Sequence, residues 1–406
     1  MNRKAIIFLP DGMADNPIAE YQDRTPLEIA RTPGMDKIAS LGVNGNFLTL
    51  PDGLPTSSDV ANMSVLGFQP ELNYPGRGPI EAVAQGIELA PDDIAWRCNL
   101  VYASNDGVLR DYSAGHISDE DARILMEDLQ KEFGNDDVTF HSGVSYRNLL
   151  VLHGKKFSDK INYFKPDSSQ DLPLNELYLS PADDSEEAAY TVKFLRDLEE
   201  RCAEFLAKHP INALKASPGN RIWPWSPGHA PSLTPFEEKY DGRKGAIISA
   251  VDVIKGLGKC TCMKVIEVEG ATGFIDTNYA GKAQAAIDAI KEYDLVYVHV
   301  EAIDECSHLG DLKLKIRAIE NFDAKIVMPI LAALEEMPEL KVNVAVLPDH
   351  PVPIKLRAHT TDPVPLAIMG PDFEADDVNV YSEKTAPNGK LGLLNKDQLV
   401  KKLLNI

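Results

Sequence analysis

Two residues with metal-ligand chemistry, Asp304 and His308, stand four positions apart shortly after an apolar run. The run, residues 294–300, has the length and composition of a buried strand. A spacing of four places both side chains on one face of a helical turn, where carboxylate oxygen and imidazole nitrogen suit a divalent metal. The pair alone is also explained by a capped helix start with an incidental histidine, so the rest of the chain must decide.

Further aspartate and histidine residues follow other predicted strands. Asp11 comes after the apolar run 5–9, and the adjacent pair Asp349 and His350 comes after the run 342–347. Each of them alone could be an ordinary turn residue. The carboxyl ends of strands in an α/β sheet meet at one crevice, however, so the whole set is expected to lie together. The residues predicted to hold two divalent ions are Asp11, Asp304, His308, Asp349, His350 and His359.

Ser58 lies at the start of a predicted helix, in a polar cluster that begins at Thr56. A serine in the first turn of a helix lies where backbone N–H groups and the helix dipole can hold a phosphate. Its hydroxyl is a poor nucleophile at its own pKa, and metal coordination is one way to activate it. Ser58 is therefore a candidate nucleophile, and a simple helix cap by Thr56, Ser57 or Ser58 is the alternative.

The composition narrows the class of protein. A formal net charge of −21 argues against nucleic-acid binding, which needs phosphate-neutralising lysine and arginine. No run of about 18 apolar residues is present, so no membrane span is predicted. The run 5–9 is too short for the apolar region of a signal peptide, and the five cysteines are scattered. A cytoplasmic protein with reduced thiols is therefore expected.

Two stretches rich in proline and glycine, 69–79 and 217–231, indicate crossings between domains. In the outer segments strands alternate with helices, which predicts an α/β fold with a doubly wound, mostly parallel sheet. The stretch between the crossings predicts a smaller inserted α/β domain. The predicted division is 1–75 and 226–406 for the first domain and 76–225 for the inserted domain.

The predicted inserted domain carries polar residues that could hold the tail of an anionic substrate. Arginine is favoured for this role because its guanidinium group grips a carboxylate bidentately, which lysine does less well. Each residue alone is also explained as an ordinary surface charge or a helix cap. The candidates are Arg97, Asn99, Asp111, His116 and Arg147.

Taken in order, these motifs resemble the archaeal-type, cofactor-independent phosphoglycerate mutases, which belong to the alkaline phosphatase superfamily. The likeness extends over nearly the whole chain and implies an alkaline phosphatase-like α/β fold with an inserted substrate-binding domain. Beyond the metal-ligand residues, it rests on the runs Ser58-Asp59-Val60-Ala61-Asn62, Gly76-Arg77-Gly78-Pro79, Arg97-Cys98-Asn99, Gly270-Ala271-Thr272-Gly273, Gly310-Asp311 and His359-Thr360-Thr361-Asp362-Pro363-Val364-Pro365.

The resemblance implies a role for each site residue. Ser58 would be the nucleophile that becomes phosphoserine, and Asp59 would aid proton transfer or orientation beside it. Lys255 would reach the phosphate, while the inserted domain would hold the glycerate carboxylate and close over the site. Two divalent ions are implied, typically manganese, with zinc or magnesium as alternatives. One ion would be held by Asp304, His308 and His359, and the other by Asp11, Ser58, Asp349 and His350.

The implied reaction is the interconversion of 3-phosphoglycerate and 2-phosphoglycerate, with a small phosphorylated substrate as the implied partner. Two positions depart from the family, because His116 stands where arginine is often found and Trp223-Pro224-Trp225 stands where an Arg-Gly pair is often found. A bacterial sub-branch with a Trp-rich segment here has been proposed to phosphorylate homoserine, which makes that transfer the first alternative. A metal-dependent phosphatase and a metal-binding regulatory protein without activity are the others. The sequence leaves the oligomeric state open.

Overall fold

The computed structural model describes residues 3–406. They form two compact units. Unit 1 consists of the segment that ends at Tyr74 and the segment Leu233–Ile406, and unit 2 is the segment Pro75–Ser232 between them. The second predicted domain crossing, after residue 225, falls inside a strand, Arg221–Gly228, that belongs to unit 2.

Strands and helices are numbered here along the described chain. The strands are β1 (Lys4–Pro10), β2 (Val43–Phe47), β3 (Ile94–Ala103), β4 (Leu109–Asp111), β5 (Val138–Val144), β6 (Arg147–Leu152), β7 (Ile161–Asn162), β8 (Ser180–Pro181), β9 (Arg221–Gly228), β10 (Gly245–Ile248), β11 (Lys264–Ile266), β12 (Leu295–Val300), β13 (Val342–Val346), β14 (Val364–Met369) and β15 (Gly392–Leu394). The α-helices are α1 (Pro26–Ile29), α2 (Pro33–Ser40), α3 (Ser58–Val65), α4 (Pro70–Asn73), α5 (Arg77–Gln85), α6 (Asp119–Phe133), α7 (Glu186–Leu206), α8 (Phe236–Lys239), α9 (Asp252–Cys260), α10 (Tyr279–Glu292), α11 (Ala302–His308), α12 (Leu312–Phe322), α13 (Met328–Glu335) and α14 (Gln398–Leu404). None of the described helices has both the length and the apolar composition needed to cross a membrane.

Unit 1 is built on an eight-stranded sheet with the strand order β11-β10-β12-β1-β13-β14-β2-β15. All neighbouring pairs are parallel except those of β14, which runs antiparallel to both β13 and β2. The central strand β12 is buried along its whole length, as expected for a strand that is covered on both faces. The predicted α/β fold with a mostly parallel sheet is confirmed.

Side chains of β1 alternate between the two faces of this sheet, as in any strand. Ile6 and Phe8 join a core that also contains Ile290 of α10 and Phe322 of α12. Helix α14 also contacts β1, with Leu403 buried. The apolar packing of the central strands holds their carboxyl ends in fixed positions, which matters because the candidate ligands follow those ends.

The amphipathic pattern of residues 312–334 predicts one long helix, but the structure interrupts it. A π-helical segment, Asp323–Val327, lies between α12 and α13. Pro329 lacks the N–H that would continue the α-helical hydrogen bonds through this point, and an inserted π turn is a common response. The carboxylate of Asp323 accepts hydrogen bonds from the backbone N–H groups of Gly34 at 3.0 Å and Met35 at 2.7 Å. The interruption thus places a buried carboxylate at the start of α2.

Unit 2 contains an antiparallel sheet in which β3 pairs with β4, β6 and β9, and β6 also pairs with β5. Helices α6 and α7 bury Leu125 and Leu195 in one core with Trp96 of β3. The prediction of a proline-rich crossing was wrong for most of its length, because β9 occupies it and Pro224 lies opposite Cys98. Proline is tolerated there because β9, among the described strands, pairs with β3 alone and is an edge strand.

Candidate metal centre

Three neighbouring parallel strands of unit 1 place the candidate ligands. Asp11 directly follows β1, and Asp349 and His350 follow β13. On the other side of β1, strand β12 leads into α11, which carries Asp304 and His308. Because β12, β1 and β13 are adjacent and parallel, their carboxyl ends bring these side chains to one edge of the sheet.

The structure brings Asp304, His308 and His359 together. Nε2 of His308 lies 3.3 Å from Oδ2 of Asp304 and 3.0 Å from Nε2 of His359, and Nε2 of His359 lies 3.5 Å from Oδ1 of Asp304. Atoms bound at about 2.0–2.2 Å to one cation lie about 3.0–3.6 Å apart, so these spacings fit a shared ion. Nδ1 of His308 bonds to the carbonyl oxygen of Arg357 at 2.9 Å, which leaves Nε2 for the ion.

A second group contains Asp11, Asp349, His350 and Ser58. Nε2 of His350 lies 3.1 Å from Oγ of Ser58 and 3.3 Å from Oδ2 of Asp349. The same nitrogen lies 3.6 Å from Oδ1 of Asp11. Asp11, Asp349 and His350 are fully buried, and Ser58 is 9% exposed. One imidazole nitrogen therefore faces two carboxylates and the candidate nucleophile at distances that suit a common cation.

The two groups adjoin each other. The rings of His350 and His359 stack with their centroids 3.8 Å apart. Asp304, His350 and His359 also offer ligand atoms within 4.8 Å of one another. The spacing by itself thus permits more than one division of these ligands between two ions.

Unsatisfied buried oxygens support the fit of a cation. Oδ1 of Asp11 and Oδ1 of Asp304 are buried and have no hydrogen-bond partner in the part of the chain that the structure describes. Buried polar atoms are normally hydrogen-bonded, so each such oxygen needs an explanation. One of these oxygens belongs to each group, and a carboxylate oxygen is a ligand that manganese, magnesium and zinc all accept.

The pKa values of the buried aspartates also support the fit of a cation. Burial raises the pKa of Asp11 well above its ordinary value, and the neighbouring charge of Asp349 adds to the effect. Burial also raises the pKa of Asp349, to about 6. Burial acts against the charge of Asp304, but His308 and His359 outweigh it and hold the pKa of Asp304 well below its ordinary value. A divalent cation would supply the missing positive charge.

Ser58 is the first residue of α3, as the sequence predicted for a residue in a first helical turn. Ser57 is the residue that precedes the helix, and its side chain makes no capping hydrogen bond. The Ser58 hydroxyl contacts His350 instead of capping the helix. Asp59 is fully buried, and its Oδ2 accepts a hydrogen bond from the Tyr74 hydroxyl at 2.6 Å.

His299 contacts a candidate ligand, Asp11, and was not predicted as a site residue from the sequence. Its Nε2 lies 2.8 Å from Oδ2 of Asp11, and its Nδ1 lies 3.0 Å from Oγ of Ser249. As a carboxylate, Asp11 can only accept, so Nε2 donates to it and Nδ1 accepts the proton of the Ser249 hydroxyl. Burial, with the nearby charge of Lys282, lowers the pKa of His299 to about 3, so the ring is neutral. A lone polar residue within an apolar strand was the available signal.

Asn62 is a second residue whose role was not predicted, although it lies within a quoted motif. Its Nδ2 donates to Oδ2 of Asp349 at 2.8 Å and to the carbonyl oxygen of Ser58 at 2.7 Å. Its Oδ1 accepts a hydrogen bond from the Tyr297 hydroxyl at 2.5 Å. Asn62 therefore fixes a ligand carboxylate relative to the start of α3.

Lys255 lies apart from this arrangement. It belongs to α9, and its Nζ pairs with Oε2 of Glu267 at 2.9 Å. The structure thus shows Lys255 bound to a carboxylate of its own unit, and its approach to a phosphate stays a prediction.

In unit 2 the structure groups guanidinium side chains around one carboxylate, Glu81. Arg97 forms an ion pair with Glu81, and both side chains are almost fully buried. Nε of Arg77 lies 2.8 Å from Oε1 of Glu81, and the charge of Arg147 also acts on Glu81. Burial, only partly offset by Glu81, lowers the pKa of Arg97 to about 10. Several cations sharing one anion leave a net positive region that suits an anionic ligand.

Trp225 and Asn99 complete this arginine cluster, which is defined by Arg77, Arg97 and Arg147. The Trp225 ring lies 5.5 Å from the guanidinium carbon of Arg97 and 5.8 Å from that of Arg77. Its indole N–H donates to Oδ1 of Asn99 at 3.1 Å. Arg77 and Glu81 lie on α5 and were not predicted as site residues, since only the folded chain brings α5 against β3. Trp225, which the sequence marked as a departure from the family, lies opposite Arg97 in the register of β3 and β9.

Two other candidates of unit 2 have local partners. Both carboxylate oxygens of Asp111 are used in its own loop, by Ser113 and by the backbone N–H of Gly115. His116 packs against the ring of Tyr146, with centroids 6.2 Å apart. For Asp111 the contacts favour the alternative of a turn residue.

The fold and the site define an α/β protein with buried carboxylates, imidazoles and one serine at the carboxyl ends of parallel strands. A family model described as 2,3-bisphosphoglycerate-independent phosphoglycerate mutase matches residues 39–212. Proteins of that name from Methanosarcina barkeri and Methanosarcina acetivorans are each 44% identical to this chain. The alignment with the first covers 98% of each chain. The alignment with the second covers 99% of this chain and 100% of the relative. The chain belongs to the 2,3-bisphosphoglycerate-independent phosphoglycerate mutase family, and the predicted membership is confirmed.

Solved structures agree with this assignment. A protein from Pyrococcus horikoshii superposes with a TM-score of 0.81 at 28% identity, covering 100% of this chain and 97% of the other. The cofactor-independent phosphoglycerate mutase from Thermoplasma acidophilum superposes with a TM-score of 0.63 at 27% identity, covering 99% of each chain. The likeness includes both units, so the inserted segment is part of the shared architecture.

Proposed function

We propose that this chain interconverts 3-phosphoglycerate and 2-phosphoglycerate by carrying the phosphoryl group on Ser58 beside two divalent ions. The observation that carries the proposal is the position of the Ser58 hydroxyl, 3.1 Å from Nε2 of His350 and next to a buried set of ligands. The relatives named as mutases over their full length support the choice of substrate.

The ions would be held by Asp304, His308 and His359 on one side and by Asp11, Ser58, Asp349 and His350 on the other. When bound, they would neutralise phosphate charge and lower the pKa of the serine hydroxyl. Manganese is the proposed metal, with zinc or magnesium as alternatives, because oxygen and imidazole ligands accept all three ions.

The chemical step follows from the position of Ser58. Its Oγ gives up the hydroxyl proton and forms a bond to phosphorus while the ester bond between phosphorus and the substrate oxygen breaks, and that oxygen takes up the proton. Asp59 is the proposed holder of this proton, since it is buried one residue from Ser58 and fixed by the Tyr74 hydroxyl. The second hydroxyl of the same glycerate then attacks the phosphoserine, which restores the Ser58 hydroxyl.

A mutase must keep its glycerate while the phosphoryl group is on the enzyme. The arginine cluster of unit 2 is the proposed holder of the substrate carboxylate, because guanidinium groups bind carboxylates with defined geometry. Arg97, Asn99 and Arg147 stay candidates for this role from the sequence, and Arg77 and Trp225 join them. His116 and Asp111 keep the status of sequence predictions.

Substitution of Ser58 tests the proposal directly. Manganese-loaded Ser58→Ala protein should lose at least about a thousandfold in mutase turnover, measured by coupling 2-phosphoglycerate formation to enolase, because the residue carries the transferred group. Ser57→Ala is the matched control and should keep near-normal turnover, since among the described residues the Ser57 hydroxyl hydrogen-bonds to the carbonyl oxygen of Pro55, at 3.4 Å, and to no proposed ligand. Undiminished turnover by Ser58→Ala would contradict the phosphoserine route.

Phosphoryl transfer to homoserine is the second candidate function. The observation that favours it is Trp225, whose ring lies beside Arg97 and Arg77 in the region proposed for the acceptor. Wild-type protein is incubated with 3-phosphoglycerate alone, and separately with homoserine and a nucleoside triphosphate as the phosphoryl donor. A mutase yields 2-phosphoglycerate, a homoserine kinase yields phosphohomoserine, and a phosphatase releases inorganic phosphate.

A further inference from the structure

Lys315 is a fully buried lysine behind the candidate metal centre. It lies on α12, which begins shortly after α11, the helix that carries Asp304 and His308. Its Nζ donates to Oδ2 of Asp15 at 2.8 Å and to the carbonyl oxygen of Val352 at 3.0 Å. One ammonium group thus connects the α11–α12 segment to two other segments of unit 1.

Both of those segments carry proposed ligands. Asp15 lies four residues after Asp11, and Val352 lies two residues after His350. Oδ2 of Asp15 also accepts the backbone N–H of Ile354 at 3.0 Å. The backbone N–H of Val352 donates to the carbonyl oxygen of Ala14 at 3.0 Å, so the two segments also contact each other directly.

A further carboxylate holds Asp15 from the opposite side. Oε1 of Glu383 accepts the backbone N–H of Asp15 at 3.1 Å, and Oε2 accepts the hydroxyl of Thr25 at 2.7 Å. Asp15 is therefore fixed through its backbone and its side chain, with Lys315 as its charged partner.

Stability alone does not explain a buried ion pair, because replacing such a pair with apolar residues is often neutral or stabilising. Precise placement of ligands is a different requirement, since a binding site needs its groups within about 0.5 Å of the productive geometry. We propose that Lys315 is a positioning residue that holds the three ligand-bearing segments in register and thereby sets the affinity of the metal centre. The inference rests on the proposed function, because it assumes that these segments bind metal.

Calorimetric titration of the metal-stripped, full-length protein with Mn²⁺ measures the affinity of the metal centre and tests this role. Lys315→Met should bind Mn²⁺ about 10–100-fold more weakly than wild type, the usual effect of losing a group that orients metal ligands. At saturating Mn²⁺ the KM for phosphoglycerate should be unchanged, because Lys315 Nζ bonds to Asp15 and Val352, neither of which is a proposed metal ligand or substrate-binding residue.

A double variant separates positioning from folding. Lys315→Met leaves Asp15 as a buried unpaired charge, whereas Lys315→Met with Asp15→Leu removes both charges and should regain thermal stability. The double variant should still bind Mn²⁺ at least about tenfold more weakly than wild type. Asp323→Asn is the matched control, since it alters a buried carboxylate of unit 1 that bonds Gly34 and Met35 and no proposed ligand.

Each result has a defined meaning. No Mn²⁺ binding by wild type would remove the proposed metal centre itself. Wild-type binding together with equal affinity in the double variant would overturn the role of Lys315 and leave the proposed function standing. Weakened binding by Asp323→Asn to the same degree would also overturn it, because the effect would then follow general destabilisation.

Discussion

Neighbouring residues hold the side chains of the proposed ligand residues in position through hydrogen bonds. Asp11 has one oxygen bonded to His299 and the other without a partner in the described structure. Asp349 is held by Asn62 and by the backbone N–H groups of Gly12 and His350. A ligand with one fixed oxygen presents the other in a defined direction, which lowers the cost of ordering it when an ion binds.

Substitution of His299 tests this reading at the level of one residue. His299→Gln should weaken Mn²⁺ binding about tenfold and lower turnover at subsaturating Mn²⁺, because Asp11 loses its oriented donor. Calorimetric titration and the enolase-coupled assay measure the two effects. His141→Gln serves as the control, since His141 lies in unit 2 and contacts Thr139. Identical Mn²⁺ affinity in His299→Gln and wild type would show that Asp11 does not need this support.

Some of these residues could be predicted from the sequence and others could not. The difference depends on how far along the chain their contact partners lie. Asp11, Asp304 and Asp349 could be predicted because each follows an apolar run, and strand ends converge in this kind of sheet. Lys315 could not, because it looks like an ordinary helix residue until its partner, 300 positions away, is known. His299 stood out as a polar residue in an apolar strand, but its partner, 288 positions away, was not evident. Their function depends on burial and distance, which no local pattern encodes.

At the level of elements, strand β9 and the π-helical segment show where local pattern was misleading. The prolines of β9 indicated a crossing, yet an edge strand needs only one of its sides for pairing. The 3.6-residue periodicity of residues 312–334 indicated one helix, but Pro329 interrupts its hydrogen bonds. In contrast, the sequence predicts helices over residues 118–133 and 184–209. These ranges agree with α6 and α7 within a few residues, because buried apolar side chains recur along one face of each helix.

Helix α7 carries a carboxyl group with an unusual environment, Glu199. It lines a small cavity with Leu177, Trp223 and Arg221, and its burial raises its pKa to about 8. The folded protein therefore favours the protonated form of Glu199. This contribution to stability is fully present at pH values below the pKa of Glu199 in the unfolded chain, and it is lost as the pH rises through about 8.

Glu199→Gln should therefore be more stable than wild type at pH 9, by about 1–2 kcal/mol after allowance for partial exposure, and the difference should shrink toward pH 5. Thermal unfolding followed by circular dichroism at several pH values gives the comparison. The control is Glu204→Gln, which changes an exposed carboxyl group of the same helix. A pH-independent difference for Glu199→Gln would contradict the environment described for this carboxyl.

At the level of the whole molecule, the excess of negative charge means that a bound cation should stabilise the folded state. The chain has a formal net charge of −21, and three of its aspartates, Asp11, Asp304 and Asp349, are buried together in unit 1. A ligand that binds only the folded state stabilises it by mass action, by about 2.7 kcal/mol at a hundred times its Kd. Metal binding should therefore shift the unfolding of the protein.

Removal of metal by a chelator should lower the Tm by several degrees, and added Mn²⁺ should restore it in proportion to the logarithm of its concentration. Differential scanning calorimetry measures this shift. An equal ionic strength of KCl is the control, because it screens the surface charge without entering the site. A Tm that responds equally to KCl and to Mn²⁺ would argue against a specific centre.

The separation between Asp11 and His299, 288 positions along the chain, has a consequence for the synthesis of this protein. Asn62 likewise finds Asp349 only after 287 further positions have been made. Domains emerge from the ribosome from the amino terminus onward, so unit 2 can fold while the first strand of unit 1 still waits for its partners. The proposed ions could therefore bind a newly made chain only when translation is almost complete, which would make metal capture one of the last events of its maturation.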